Sequence, residues 1–134
     1  VTTALGRDTV ASARPGLWRV TDRTAFMAIR RAGRRARRGP LTVTWLPPTP
    51  GAAVEPPRVA FAIGRAVGGA VVRNRIRRRL RAGLRELQVT HGLPHGSYLL
   101  SGGPELARLP WPDLCSVLAD AVHAATDRPT GDAR

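Results

Sequence analysis

The stretch that decides the reading is "RVAFAIGRAVGGAVVRNRIRRRLRAGLREL", residues 58 to 87. "RVAFAIG" (58 to 64) is apolar and short, as a buried strand is. "GRAVGGA" then supplies the glycines of a turn. From Ala70 the period changes: Val72, Ile76, Leu80, Gly83, Leu84 and Leu87 recur at helical spacing. At about 100° per residue they share an arc of roughly 120° that must face other protein. Seven arginines between Arg73 and Arg85 flank that arc on both sides, with no acid among them. Arg73 projects into the apolar arc itself, in the first turn, where a helix end can leave it partly exposed. Like charges at i and i+4 (Arg73, Arg77, Arg81, Arg85) repel by a few tenths of a kcal/mol per pair. A solvated face would gain from mixed signs. A polyanion relieves the repulsion, so the helix reads as a nucleic-acid contact. Asn74 adds an amide able to donate and accept at a base edge or a 2′-hydroxyl.

The whole chain points the same way. It has 134 residues, 43% of them hydrophobic, which suits one domain with a core of its own. Its 22 basic residues are all arginine and face nine acids, a formal charge of +13. Guanidinium forks match phosphate oxygens in pairs. A GC-rich coding bias accounts for arginine over lysine, but not for the net charge. Cys115 is the single cysteine, so no disulfide framework or thiolate metal cluster exists, and it is expected to be a small buried hydrophobe. No apolar run marks a signal peptide or a membrane span; a cytoplasmic protein without membrane contact is expected.

Residues 1–16 lack periodicity and end at Pro15-Gly16, which predicts a disordered leader. A Thr21 or Asp22 cap followed by Ala25, Phe26, Ile29 and Ala32, with Gly33 as stop, predicts a short amphipathic helix. It runs into six arginines between Arg30 and Arg38, ended by Gly39-Pro40. "LTVTWL" (41 to 46) alternates as a strand does. "PPTPGAAVEPP" must be loop. "HGLPHG" ends the arginine helix, "SYLLS" (97 to 101) reads as another strand, and "DLCSVLADAVHAA" (113 to 125) as a closing amphipathic helix. A disordered tail is expected over 126–134, leaving 17–125 as a single RNA-binding domain. The fold class is therefore α/β (α+β): a two-layer sandwich with a small mixed sheet in α-β-β-α-β-α order, with room for a further short strand.

Other chemistry is poorly supplied. "GRAVGG" is not a dinucleotide fingerprint, and a Walker lysine is impossible without lysine. His91 and His95 stand four apart, but Gly92 and Pro94 make that segment a turn. Glu86, Glu105 and Asp113 are scattered, so no pair of carboxylates or acid cluster is evident for a protein-only nuclease. Trp45 and Trp111 are expected in the core.

The block around Arg73-Asn74-Arg75, with Arg65, Val67, Gly68, Ala70 and Val71 before it and Ile76, Arg77, Arg78 and Arg81 after it, resembles the signature of the bacterial ribonuclease P protein subunit. The upstream "LWRVTDRTAFMAIRRAGRRARRG" is similar to that family's first helix, with Phe26 at its aromatic position. The resemblance spans about Trp18 to Ala125. It implies the non-catalytic partner of a ribozyme RNA that removes the 5′ leader of precursor tRNA, using Mg²⁺ held mainly by RNA. It further implies leader contacts from Phe26, Arg30, Thr44, Arg73, Asn74, Arg77 and Arg81. Contacts to the catalytic RNA would come from Arg65, Arg75, Arg78, Arg79 and Arg85. A left-handed βαβ crossover is implied too, against the usual handedness. No obligate protein partner and no protein-bound metal are expected. The chain departs from the pattern at Arg30 and Thr44, where the family carries aromatics, at Gly69, where asparagine is common, and at Gly102, where a basic residue is usual. The alternative is a structural RNA-binding protein, such as a ribosomal one, with no role in processing.

Overall fold

The computed structural model describes residues 18–19, 23–51 and 53–127. In chain order it contains β1 (Trp18–Arg19), α1 (Arg23–Ala32), β2 (Arg34–Arg38), β3 (Leu41–Leu46), β4 (Arg58–Ala62), α2 (Ala70–Thr90), β5 (Ser97–Gly102) and α3 (Trp111–Thr126). Short 3-10 turns, Arg65–Val67 and Pro104–Ala107, precede α2 and α3. The expected leader over 1–16 and the Thr21 or Asp22 cap lie outside the described residues. Of the tail expected to be disordered, Thr126 closes α3, its hydroxyl donating to the Val122 carbonyl at 2.8 Å, and 128–134 lie outside the description.

The five strands form one mixed sheet in the order β1-β4-β5-β3-β2. β4 runs parallel to β1 and β5, whereas β3 is antiparallel to β5 and β2. The β4-α2-β5 segment is therefore a βαβ unit between adjacent parallel strands. β2 is the element that periodicity alone did not reveal. "RRARR" carries one apolar residue, Ala36, which pairs with Val43 and packs on the core. Its partner is chosen by a two-residue hairpin turn, with Gly39 at φ 56° as the first-position glycine that a type II′ turn calls for.

Directly paired residues share a face of the sheet, which assigns the side chains of β2, β3, β4 and β5 to layers. Leu41, Val43, Trp45, Val59, Tyr98 and Leu100 point to one side and pack with Ile76, Leu80 and Leu84 of α2 and Leu114 and Leu118 of α3. Gly83 lets α2 approach α3: a Cβ there would lie 2.7 Å from Leu118 Cδ2. On the opposite side α1 covers the sheet alone, burying Ile29 with Ala60 and Leu99. With α1 counted, the sandwich carries a partial third layer. Gly33 ends α1 because nothing larger fits; its Cβ would lie 2.6 Å from both the Ile29 carbonyl oxygen and Thr44 Cγ2. Several expected core positions differ. Ala32 is exposed, Trp111 opens α3 at 38% exposure, and Cys115 is only partly buried. Ala32 and Trp111 lie at the ends of their helices.

Candidate nucleic-acid interface

The predicted apolar arc of α2 is the buried one: Ile76, Leu80, Gly83 and Leu84 are enclosed, with Val72 and Leu87 half-buried beside them. What the arc leaves outside is arginine. Arg75, Arg78 and Arg85 are exposed, as is Arg65 in the preceding turn. The first turn of α2 holds no acid and its cap, Gly69, offers no side-chain acceptor. The positive end of the helix dipole therefore adds to the guanidinium charge.

Three of the predicted leader residues gather where β4 runs into α2. Arg73, half-buried, donates from Nε to the Gly68 carbonyl at 3.1 Å, which explains how a cation tolerates the apolar arc. Gly68 itself turns the chain at φ 156°. Arg77 donates to Asn74 Oδ1 at 2.9 Å and to the Ile63 carbonyl at 3.3 Å, so Asn74 is held by a cation and keeps its amide donors for a ligand. Phe26 lies in the other layer, packing on the Ile29, Ala60 and Leu99 cluster along with Leu46 and Ala62. Arg30 is exposed one turn later, its guanidinium carbon 6.0 Å from the Phe26 ring centroid.

The structure moves three predicted residues elsewhere. Arg79 is turned inward: Nη1 donates to the Leu106 carbonyl at 2.6 Å and Nη2 to that of Leu109. Those carbonyls belong to the 3-10 turn and the loop before α3, so both terminal nitrogens of this guanidinium are engaged within the fold. Arg81 sits with its guanidinium carbon 5.2 Å from the Phe61 ring centroid. Phe61 pairs with Leu100 and packs in the α2 and α3 layer, so the sheet separates Arg81 from Phe26. Thr44 is 4% exposed beneath the Gly33 end of α1, and offers no surface to a leader. Its neighbour on the same face, Thr42, is only half-buried. Alternation puts both threonines on that face; only the docking of α1 decides which one stays open.

The β2 arginines were visible as a charge run but not as a surface. Arg35, Arg37 and Arg38 are exposed along the unpaired edge of the sheet. Arg34 folds back instead, donating to the Asp127 carbonyl at 3.4 Å. Near α3, burial and then the Glu86 carboxylate push the Cys115 thiol up from its ordinary value, with Arg79 pulling the other way. Such a thiol is a poor nucleophile at neutral pH. Among the described residues no helix is long and apolar enough to cross a membrane.

A family model described as Ribonuclease P matches residues 15–126. The Ribonuclease P protein component of Thermobifida fusca is 41% identical over 119 residues, 84% of this chain and 78% of that protein. That of Clavibacter michiganensis is 37% identical over 108 residues, 80% of this chain and 91% of its own length. Among solved structures, the RNase P protein of Staphylococcus aureus superposes with a TM-score of 0.68 at 16% identity, covering 81% of this chain and 95% of that one. That of Thermotoga maritima gives 0.66 at 19%, covering 79% and 96%. At such identities the superpositions speak for the fold, a mixed α/β sheet with three helices, while the sequence matches speak for descent. Together with an arginine helix that keeps Arg75, Arg78 and Arg85 exposed, they establish that the chain belongs to the ribonuclease P protein family, whose role is RNA binding in tRNA 5′ processing.

Proposed function

We propose that this chain acts as the non-catalytic subunit of ribonuclease P, gripping the catalytic RNA with the outward arginines of α2 and holding the 5′ leader of precursor tRNA on the α1 side of the sheet. The observation that carries this reading is the division of α2. Its apolar arc is consumed by the sheet and α3, while Arg65, Arg75, Arg78 and Arg85 stay exposed. A fold that keeps so much like charge on one helix gains stability when phosphates approach. Arg73, Asn74 and Arg77 gather just past the end of β4, and Phe26 with Arg30 stands on the α1 side of the sheet, so that the two groups offer an aromatic face and a hydrogen-bonded amide to a single strand.

Catalysis is assigned to the RNA. Among the described residues no three His, Cys, Asp or Glu side chains come close enough to hold a metal ion. On this reading the Mg²⁺ that the hydrolysis uses would be held mainly by RNA phosphates, where it would activate water and stabilise the leaving oxygen. The protein's contribution is to screen phosphate repulsion and to position the leader.

The test is cleavage of precursor tRNA by ribonuclease P RNA at low magnesium, with and without the chain. The chain should raise the rate at low magnesium and have no nuclease activity alone. Robust cleavage by the RNA-free protein, or no stimulation under conditions where the RNA binds it, would overturn the reading.

A further inference from the structure

We infer that the β2 edge strand extends the substrate groove, with Arg35 and Arg37 holding leader phosphates after the strand has crossed the α1 side of the sheet; this rests on the reading of the chain as the ribonuclease P subunit.

The register carries the inference. Arg37 pairs with Thr42, Thr42 with Ser101, and Ser101 with Ala62, so these four form one row on the α1 face. The next row, Arg35, Thr44, Leu99 and Ala60, is closed over its inner three residues by α1, which buries Leu99 and Ala60 under Ile29 and Thr44 beneath Gly33. The first row stays open: Thr42, Ser101 and Ala62 are each half-buried and Arg37 is exposed. It starts at the β4 end, where Asn74 and Arg77 stand, and finishes on the edge of the sheet. Three strand spacings make that a path of roughly 14 Å. Its floor offers two hydroxyls, suited to 2′-hydroxyl or base-edge contacts, where a stacking surface is lacking.

At the far end the charge is waiting. Arg35 has no hydrogen-bond or ion-pair partner among the described residues, and lies about 7 Å from Arg37 along the strand on the same face. Arg37 uses Nε on the Gly39 carbonyl at 3.2 Å, which stiffens the side chain and leaves its terminal nitrogens outward. Arg38, by contrast, belongs to the other face opposite Leu41 and folds onto the Arg37 carbonyl at 2.7 Å. The competing explanation is that arginines guard an open strand edge against pairing with another sheet. That role needs charge on the edge, without regard to the face. The inference needs Arg35 and Arg37 and is indifferent to Arg38.

The experiment uses the reconstituted holoenzyme and two precursor tRNAs, one with its leader trimmed to a couple of nucleotides and one with a leader several times longer. Wild type should bind the longer leader more tightly. Arg35→Gln/Arg37→Gln should remove about five- to tenfold of that preference and make the salt slope shallower by about 1.4, two single-strand contacts at about 0.7 each. Affinity for the trimmed substrate and for the catalytic RNA should not change, and Arg38→Gln should bind both leaders as wild type does. Equal losses on both substrates together with weaker assembly would place the edge on the catalytic RNA and overturn the inference. Unchanged binding with increased self-association would leave the edge as a guard only, and also overturn it. If wild type fails to stimulate cleavage at all, the failure lies in the underlying assignment, which this readout separates from the fate of the edge.

Discussion

Arg79→Ala separates structural from RNA-binding arginines on α2, and its effect follows from the geometry. The side chain bridges α2 to the Leu106 and Leu109 carbonyls, two charge-assisted bonds across the segment that leads into α3. A hydrogen bond to a charged group contributes about 1.5–3 kcal/mol. Arg79 is only half-buried, so water can replace part of what is lost, and we expect a net cost of about 2–3 kcal/mol. For a chain of this size that lowers the melting temperature by roughly 6–15 °C. Arg78→Ala, one position away and exposed, should stay within about 0.5 kcal/mol of wild type. Urea unfolding of both variants measures this directly. Arg79→Lys should recover only part of the loss, because a single ammonium cannot span two carbonyls as a fork does. Binding should show the opposite order: Arg78→Ala flattens the salt dependence of catalytic-RNA affinity by about 0.7–0.9, and Arg79→Ala leaves it alone. A third readout is the thiol. Arg79 lowers the Cys115 pKa against burial and Glu86, so its removal should slow alkylation of Cys115 in the folded protein. Unchanged stability in Arg79→Ala with weakened RNA binding would refute the assignment.

Gly33→Ala should destabilise the fold by about 2 kcal/mol in chemical denaturation, since the new methyl meets the Ile29 carbonyl and Thr44 rather than open space; a neutral result would contradict the close docking of α1. Burial holds the Tyr98 phenol protonated well above its ordinary value of 10.0, and its hydroxyl donates to the Pro94 carbonyl at 2.5 Å. The unfolded chain therefore loses this proton first, so the contribution is whole below about pH 10 and declines as pH rises beyond it. Tyr98→Phe should cost about 1 kcal/mol at neutral pH and flatten the alkaline decline in melting temperature, which a pH series of thermal melts resolves. Asn74→Ala should weaken leader-bearing precursor tRNA against mature tRNA by roughly 1–2 kcal/mol, whereas Arg81→Ala, on the far side of the sheet from Phe26, should not discriminate between them in paired binding assays.

The contrast between those two residues shows where the amino-acid order stops being informative. Both stand on the same flank of α2 by angle, and both match the family pattern. Yet Asn74 is held by Arg77, which reaches the Ile63 carbonyl just past β4, whereas Arg81 lies about two turns further along α2, against Phe61. A helical wheel records direction around an axis and not position along it relative to a sheet edge. Arg79 makes the same point more sharply: nothing in "RNRIRRRLR" distinguishes the arginine that meets Leu106 and Leu109, because those acceptors arrive from about thirty residues downstream.

What the sequence determined by itself was everything governed by local periodicity and by composition: the buried arc of α2, the strands at 41 to 46 and 97 to 101, the helix before Gly33, and a charge that only a polyanion answers. Short-range backbone preference and hydrophobic spacing are written in neighbouring residues, so they can be read there. Tertiary structure decided the rest. β2 is a strand because β3 supplies its hydrogen bonds across a glycine turn, not because "RRARR" favours one. Thr44 is closed and Thr42 open because α1 ends at Gly33, over one and short of the other. Which arginines remain free for RNA follows from which carbonyls the folded chain leaves without partners, and a carbonyl's need is satisfied through space rather than along the sequence.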